Sequence, residues 1–165
     1  AEVKQLTTKE ELVNVCYFFN NNFDGFSPQW FYSYILGTGL IPNDSFIAIN
    51  DGEIVGAIIC TEEKIPNSYR NTVISELQKM TYECISVLAV DSDYRGGQLN
   101  FELVSKVINK LKNNGCQWAY IQIFHHLTTH DYWKSYGAVE ILDDGGVKHY
   151  ALPLTEEAKT ILTRQ

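Results

Sequence analysis

The chain has no apolar run of membrane length, and no N-terminal segment in which charge precedes a short apolar stretch, so neither bilayer insertion nor export is expected. Cysteine is sparse. Cys16, Cys60, Cys84 and Cys116 lie far apart without C-x-x-C spacing and inside predicted helices or strands, which argues against a disulfide framework and for reduced, buried thiols in a cytoplasmic protein. Positive charge is also short: 13 Lys and Arg stand against 20 Asp and Glu, for a net charge of -7 and a pI near 5.0. Sequence-independent binding to a phosphate backbone relies on clustered cations and is therefore not expected; a cationic small molecule or peptide suits this balance better. There is no internal repeat, low-complexity tract, G-x-G-x-x-G or H-E-x-x-H. What remains is 165 residues, 45% hydrophobic and 13% aromatic, enough for a single domain over 1–165 with a sizeable core.

The most informative stretch is 81–114. Residues 85–90 form an apolar run of strand length that ends at Asp91-Ser92-Asp93 and reads as a buried central strand. From Leu99 onward, Leu103, Val104, Val107, Ile108 and Leu111 mark one face of a helix, with Lys106, Lys110 and Lys112 on the other and Gly115 as its stop. Between strand and helix, Tyr94-Arg95-Gly96-Gly97-Gln98 is a glycine turn. It places the unpaired N–H groups of a helix start beside an arginine, an arrangement suited to holding an anion. Asn100 is a good N-cap as well, so a helix that begins later is an alternative, and Glu102 in the first turn would oppose an anion.

Elsewhere, 3–6 suits a short edge strand, and Thr8-Lys9-Glu10-Glu11 has the form of a capping box opening a helix with Leu12, Cys16, Phe19 and Phe23 as its buried stripe. Asn20-Asn21-Asn22 ends that helix, and Ser27-Pro28 opens a second, aromatic one through Trp30, Phe31, Tyr34 and Ile35. Residues 45–50 and 53–61 are strand-like around Asp51-Gly52, a strong hairpin signal. The segment 64–80 exceeds an ordinary connection; Val73, Ile74, Leu77 and Met80 give it helical spacing, so it reads as an inserted short helix packed over the sheet, as a lid or a contact surface. Residues 117–125 alternate and, across a helical crossover, are expected to run parallel to 85–90. A short helix at 132–136 should end at Gly137, followed by a hairpin of 138–142 and 147–152 and a frayed terminal helix at 155–165.

Two motifs carry a family resemblance. The run LAVDSDYRGGQLN resembles the acyl-CoA-binding signature of the GNAT superfamily of N-acyltransferases, a strand ending L-x-V followed by [RQ]-x-x-G-x-[GA] at a helix start, with Arg95 at the first position and Gln98 and Asn100 where glycines are expected. HDYWKSYGAVEI resembles the family's second landmark, A-x-x-F-Y-x-K-x-G-F, with Gly137 in register, Trp133 at the tyrosine and Ala138 at the phenylalanine. The resemblance implies an α/β fold with a mixed, mostly antiparallel central sheet, splayed at a parallel strand pair and flanked by helices.

It also implies transfer of an acyl group, most simply acetyl, from acetyl-CoA as donor substrate to a primary amine by direct attack, without a metal. Cofactor contacts would come from Leu88, Ala89, Val90, Arg95, Gly96, Gly97, Gln98, Asn100, His126 and Trp133. Glu83 through water and His126 are the candidate bases. Tyr132 or Tyr136 would replace the family's acid, because an indole at Trp133 cannot usefully give up a proton. Phe23, Phe26, Trp30 and Tyr34 could wall an acceptor pocket, with Asp24, Asp143 and Asp144 attracting an amine. His125, His126 and His130 lack a third ligand at recognisable spacing, so zinc is not expected, and His130 and His149 read as exposed. The expected partners are a CoA thioester and an amine, with neither nucleic acid nor membrane; a homodimer is left open. The alternative reading is a GNAT-like protein without catalysis that serves as a binding or interaction module.

Overall fold

The computed structural model describes residues 1–22, 33, 44–124 and 129–164. The aromatic helix expected from Ser27, the pocket residues Phe23, Asp24, Phe26, Trp30 and Tyr34, and His125 and His126 lie outside these. Among the described residues seven strands, β1 (Glu2–Gln5), β2 (Phe46–Asn50), β3 (Glu53–Thr61), β4 (Tyr82–Val90), β5 (Trp118–Phe124), β6 (Val139–Asp143) and β7 (Val147–Pro153), hydrogen-bond in the order β1-β2-β3-β4-β5-β7-β6, with β4 and β5 parallel in a mostly antiparallel arrangement flanked by helices. The chain divides into two compact units, Ala1–Thr61 with Ser86–Lys110 and Glu62–Ile85 with Leu111–Gln165.

In the first unit, β1 (Glu2–Gln5) pairs antiparallel with β2 (Phe46–Asn50), and β2 with β3 (Glu53–Thr61). The β2–β3 turn has Asp51 at φ 51° and Gly52 at φ 78°, the pair of left-handed residues that a tight hairpin needs. Helix α1 (Lys9–Asn22) starts in the expected capping box: the Glu11 amide donates to Thr8 Oγ1 and the Thr8 amide to Glu11 Oε1, both at 3.1 Å. Its buried face, Leu12, Val15, Cys16, Phe18 and Phe19, packs with Leu6, Ile47, Ala57, Ile59 and Ala89 into one apolar cluster. All four cysteines are buried and none forms a disulfide, and burial pushes the Cys16 thiol up to about 11.

In the second unit, the segment after β3 forms helix α2 (Thr72–Gln78), with Asn71 Oδ1 accepting from the Ile74 amide at 2.8 Å. Ile74 and Leu77 are almost wholly buried, and Leu77 O accepts from Trp118 Nε1 at 2.9 Å. The expected helix over the sheet is therefore a core element. Strand β4 (Tyr82–Val90) begins upstream of the expected run, and its parallel ladder to β5 (Trp118–Phe124) joins Tyr82–Trp118, Glu83–Ala119 and Cys84–Tyr120. That pairing lies before residue 85, because an apolar count misses Tyr82 and Cys84, which the core nevertheless buries.

Helix α3 (Gln98–Asn113) buries Leu99, Leu103, Val104, Val107 and Leu111 as its periodicity requires. It closes at Gly115 (φ 83°), with the Cys116 amide bonded to Leu111 O and the Gly115 amide to Lys112 O. Helix α4 (His130–Ser135) closes the same way at Gly137 (φ 99°), through Ala138 to Trp133 O and Gly137 to Lys134 O. Strands β6 (Val139–Asp143) and β7 (Val147–Pro153) form the last hairpin.

Helix α5 (Glu156–Leu162) is not frayed. Thr155 caps it, Ala158, Ile161 and Leu162 are buried, and Arg164 Nη1 meets both Glu76 oxygens at 3.2 Å. Its apolar residues are too few to stand out in sequence, yet the core gives them a place. No helix among the described residues is long and apolar enough to cross a membrane.

Candidate active site

The glycine turn is built by local bonds within the first unit. Asp91 Oδ1 accepts from the Asp93 amide at 3.0 Å and its carbonyl from the Tyr94 amide at 2.8 Å, closing a 3-10 turn over Ser92–Tyr94. The Asp91 amide donates to Val55 O at 2.8 Å, and Asn50 Nδ2 donates to the Tyr94 hydroxyl, so the β2–β3 hairpin pins both ends of that turn. Arg95 Nε donates to the carbonyl of Val90 at 3.0 Å, folding the arginine back over the strand end. Gly96 then takes φ 79°, a left-handed conformation that disfavours any side chain.

Gly97 precedes the helix, and α3 begins at Gln98, so Asn100 is a first-turn residue and not the cap. The N–H groups of that first turn have no acceptor inside the helix, and the turn contains no acid, since Glu102 lies beyond it. The opposition expected from Glu102 is thereby reduced. Arg95, Gly96, Gly97 and Gln98 are exposed, whereas Ala89 and Val90 are buried and Leu88 and Asn100 are half-buried. A cation, an open glycine turn and the positive end of a 16-residue helix thus share one surface.

In the second unit, Glu83 is half-buried opposite Ala119 on β5. Trp133 is 5% exposed and packs edge-on to Tyr132, with ring centres 5.5 Å apart. The hydroxyls of Tyr132 and Tyr136 lie 3.1 Å apart, and both residues are half-buried. Burial first, then the hydrogen bond and proximity of Tyr136, drive the Tyr132 phenol far above its ordinary pKa, so Tyr132 holds its proton tightly.

His149 and His130 are not the exposed residues expected. His149 is 2% exposed and bridges the Tyr120 hydroxyl at 2.7 Å and Asp144 at 3.0 Å, while His130 Nδ1 meets the Tyr150 hydroxyl at 2.8 Å. Asp144 is occupied by that bridge and by the amides of Gly146 and Val147, and Asp143 by the Gly145 amide, so both acids serve the β6–β7 turn. The sequence hinted at this only through the alternation of β7, which puts His149 on the same strand face as the apolar Ala151. Among the described residues, no group of three or more His, Cys, Asp and Glu is placed to hold a metal ion.

The family model for the Acetyltransferase (GNAT) family matches residues 10–137. The chain belongs to the GNAT acetyltransferases. The match runs through α1, the glycine turn, α3 and α4, and it ends at the glycine that closes α4. No curated protein matches the sequence.

Solved GNAT structures share the fold. The GNAT family N-acetyltransferase YhbS from Escherichia coli, in complex with CoA, is 14% identical over 96% of this chain and 83% of its own, with a TM-score of 0.72. The ribosomal-protein-S18-alanine N-acetyltransferase from Escherichia coli is 16% identical over 93% and 94%, with a TM-score of 0.66. Arabidopsis thaliana Naa50, in complex with the bisubstrate analogue CoA-Ac-MVNAL, is 15% identical over 92% and 98%, with a TM-score of 0.65.

Proposed function

We propose that this GNAT protein is an acetyl-CoA-dependent N-acetyltransferase acting on a primary amine, working as one domain over 1–165 with an inserted segment near 64–80. The observation that carries the reading is the exposed Arg95-Gly96-Gly97 turn opening α3 at Gln98 without an acid in its first turn. Gly96 needs glycine for its backbone, but Gly97 does not: a Cβ there would meet only Tyr94 O, at 3.7 Å. A missing side chain that the fold does not require favours close approach of a pyrophosphate to the backbone N–H groups. Leu88, Ala89, Val90, Gln98 and Asn100 belong to the same proposed cofactor surface, with His126 and Trp133 assigned by motif position. CoA-bound relatives of the same fold support a CoA thioester as donor.

In the reaction, the neutral amine nitrogen attacks the thioester carbonyl, the C–N bond forms, the C–S bond breaks, the nitrogen gives up a proton to become the amide, and CoA leaves as the thiolate and takes up one proton. An amine with a pKa of about 10.4 is protonated at neutral pH and must first lose a proton to a base, whereas a thiol with a pKa of about 8.5 leaves with little help. Glu83 through water and His126 are the proposed bases. Tyr132 or Tyr136 is the proposed acid, and burial makes Tyr132 hold its proton tightly. The net charge of -7 favours a cationic acceptor, and four buried thiols outside any disulfide favour the cytoplasm.

Calorimetry with acetyl-CoA, followed by an acetylation screen of polyamines, amino sugars and lysine peptides, tests the reading. Binding and turnover of an amine are expected. No heat at millimolar acetyl-CoA overturns it in favour of a non-catalytic binding module.

A further inference from the structure

The proposed acyl transfer makes no use of the segment between β3 and β4, yet that segment encloses an open groove of about 710 Å³ inside the second unit. The volume falls in the range of about 300 to 1,000 Å³ typical of small-molecule sites. Among the described residues Lys64 is the one charged side chain in the lining, and Asn67, Gln78 and Thr81 add neutral polar groups beside Met80 and Tyr82. The lysine is held in place: Nζ donates to Tyr82 O at 2.8 Å and lies 4.1 Å above the centre of the Tyr82 ring. An ammonium has three donors, so that bond leaves two for a ligand. Gln78 Nε2, in the same lining, is enclosed and has no hydrogen-bond partner, a state that native proteins seldom leave unanswered.

We propose that this groove binds a small organic monoanion with an aromatic or branched apolar body. A carboxylate meets the fixed Lys64 ammonium, and the single cation without a neighbouring acid in the lining matches one negative charge and not two. The hydroxyl of Thr81 and the amide of Asn67 supply neutral donors to the same oxygens. Rotation of Gln78 about its terminal torsion, which is soft, brings its unpartnered N–H group to the ligand. Met80 and Pro66, both in the lining, cover the apolar body. Occupancy ties the residues that follow β3 to those between α2 and β4, and thereby stabilises the folded state by mass action.

The test uses the full chain, with 3-phenylpropionate as probe and 3-phenylpropionamide and 3-phenylpropylamine as size-matched neutral and cationic controls, followed by amide NMR shifts and thermal melts. Saturable shifts clustered at 64–67 and 78–82 are expected for the acid, with affinity for both controls about tenfold weaker or worse. Lys64→Met should bring the acid down to the level of the amide. Gln78→Leu, which removes the unpartnered amide nitrogen, should weaken the acid without lowering the melting temperature. The proposal is overturned if the acid produces no saturable shifts at tens of millimolar, if the shifts cluster elsewhere, or if acid and amide bind equally. That last comparison needs no variant, so it stands even if a substitution harms folding, and acetyl-CoA binding can be measured separately.

Discussion

The Asp144 carboxylate lies 3.0 Å from Nε2 of the buried His149, and this contact sets the tautomer of the ring. A carboxylate only accepts, so Nε2 carries a proton, and in the neutral ring Nδ1 then accepts from the Tyr120 hydroxyl at 2.7 Å. The two rings stack with centres 5.8 Å apart, and Tyr69 approaches from the connector, its hydroxyl 3.4 Å from Asp144. The hydrogen bond from His149, followed by the amides of Val147 and Gly146, holds the Asp144 pKa below the usual carboxylate range. A depressed acid adds stability above its unfolded pKa of about 3.8, and that stability is lost as pH falls below it. Asp144→Asn should therefore be less stable than the unmodified protein at pH 6, with the gap closing below about pH 4; urea melts across pH check this.

Glu11 makes a similar prediction at the other end of the chain. Burial disfavours its charge, but hydrogen bonds from Lys4 and from the amides of Thr7 and Thr8 outweigh that and bring its pKa down to about 2. Its contribution is complete above about pH 4.5 and disappears as pH falls through about 2. Glu11→Gln should flatten that part of the stability curve. Thr8→Ala, which removes the other half of the capping box, should cost about 1 kcal/mol at any pH, read from the urea midpoint.

Close packing of α3 on β3 depends on Gly56. A Cβ there would meet Leu103 Cδ1 at 3.1 Å, Leu99 Cδ2 at 3.4 Å and Ala48 Cβ at 3.5 Å. Gly56→Val should destabilise by about 1–3 kcal/mol through overpacking. Leu103→Ala, at a fully buried position, should cost about 2–5 kcal/mol alone, and the double variant should lose less than the sum of the two, a non-additivity that a double-mutant cycle measures.

Arg95→Ala should weaken acetyl-CoA binding by about 1.5–3 kcal/mol, the usual worth of a hydrogen bond to a charged group. Arg95→Lys should rescue little, since a lysine lacks both the Nε bond to Val90 and the planar fork. Calorimetry on both variants distinguishes a specific contact from general charge attraction, which a lysine would retain.

For catalysis, removing the base should cost about 10² to 10⁴ in rate, and removing either tyrosine much less. The comparison is kcat/KM against pH for Glu83→Gln, His126→Ala, Tyr132→Phe and Tyr136→Phe. If a tyrosine variant loses most activity while both base variants keep theirs, protonation of the leaving thiolate is the controlled step.

Where the decisive interaction is local, the residues alone were enough. The capping box at Thr8 and Glu11, the Asp51-Gly52 hairpin, the α3 stripe from Leu99 to Leu111 and the glycine stops at Gly115 and Gly137 each follow from contacts within a few positions, and each is present. The turn at Arg95, Gly96 and Gly97 was legible for the same reason, as was the family its motif resembles. What tertiary structure alone decided depends on residues far apart in sequence. It buried α2 and α5 in one core, shifted the parallel ladder to Tyr82–Cys84, and chose Gln98 over Asn100 as the start of α3. It also turned His149 inward onto Tyr120 and spent Asp144 on that bridge. A side chain's charge or hydrogen-bonding capacity can be read from its type, but whether a distant partner consumes that capacity is set only when the strands come together.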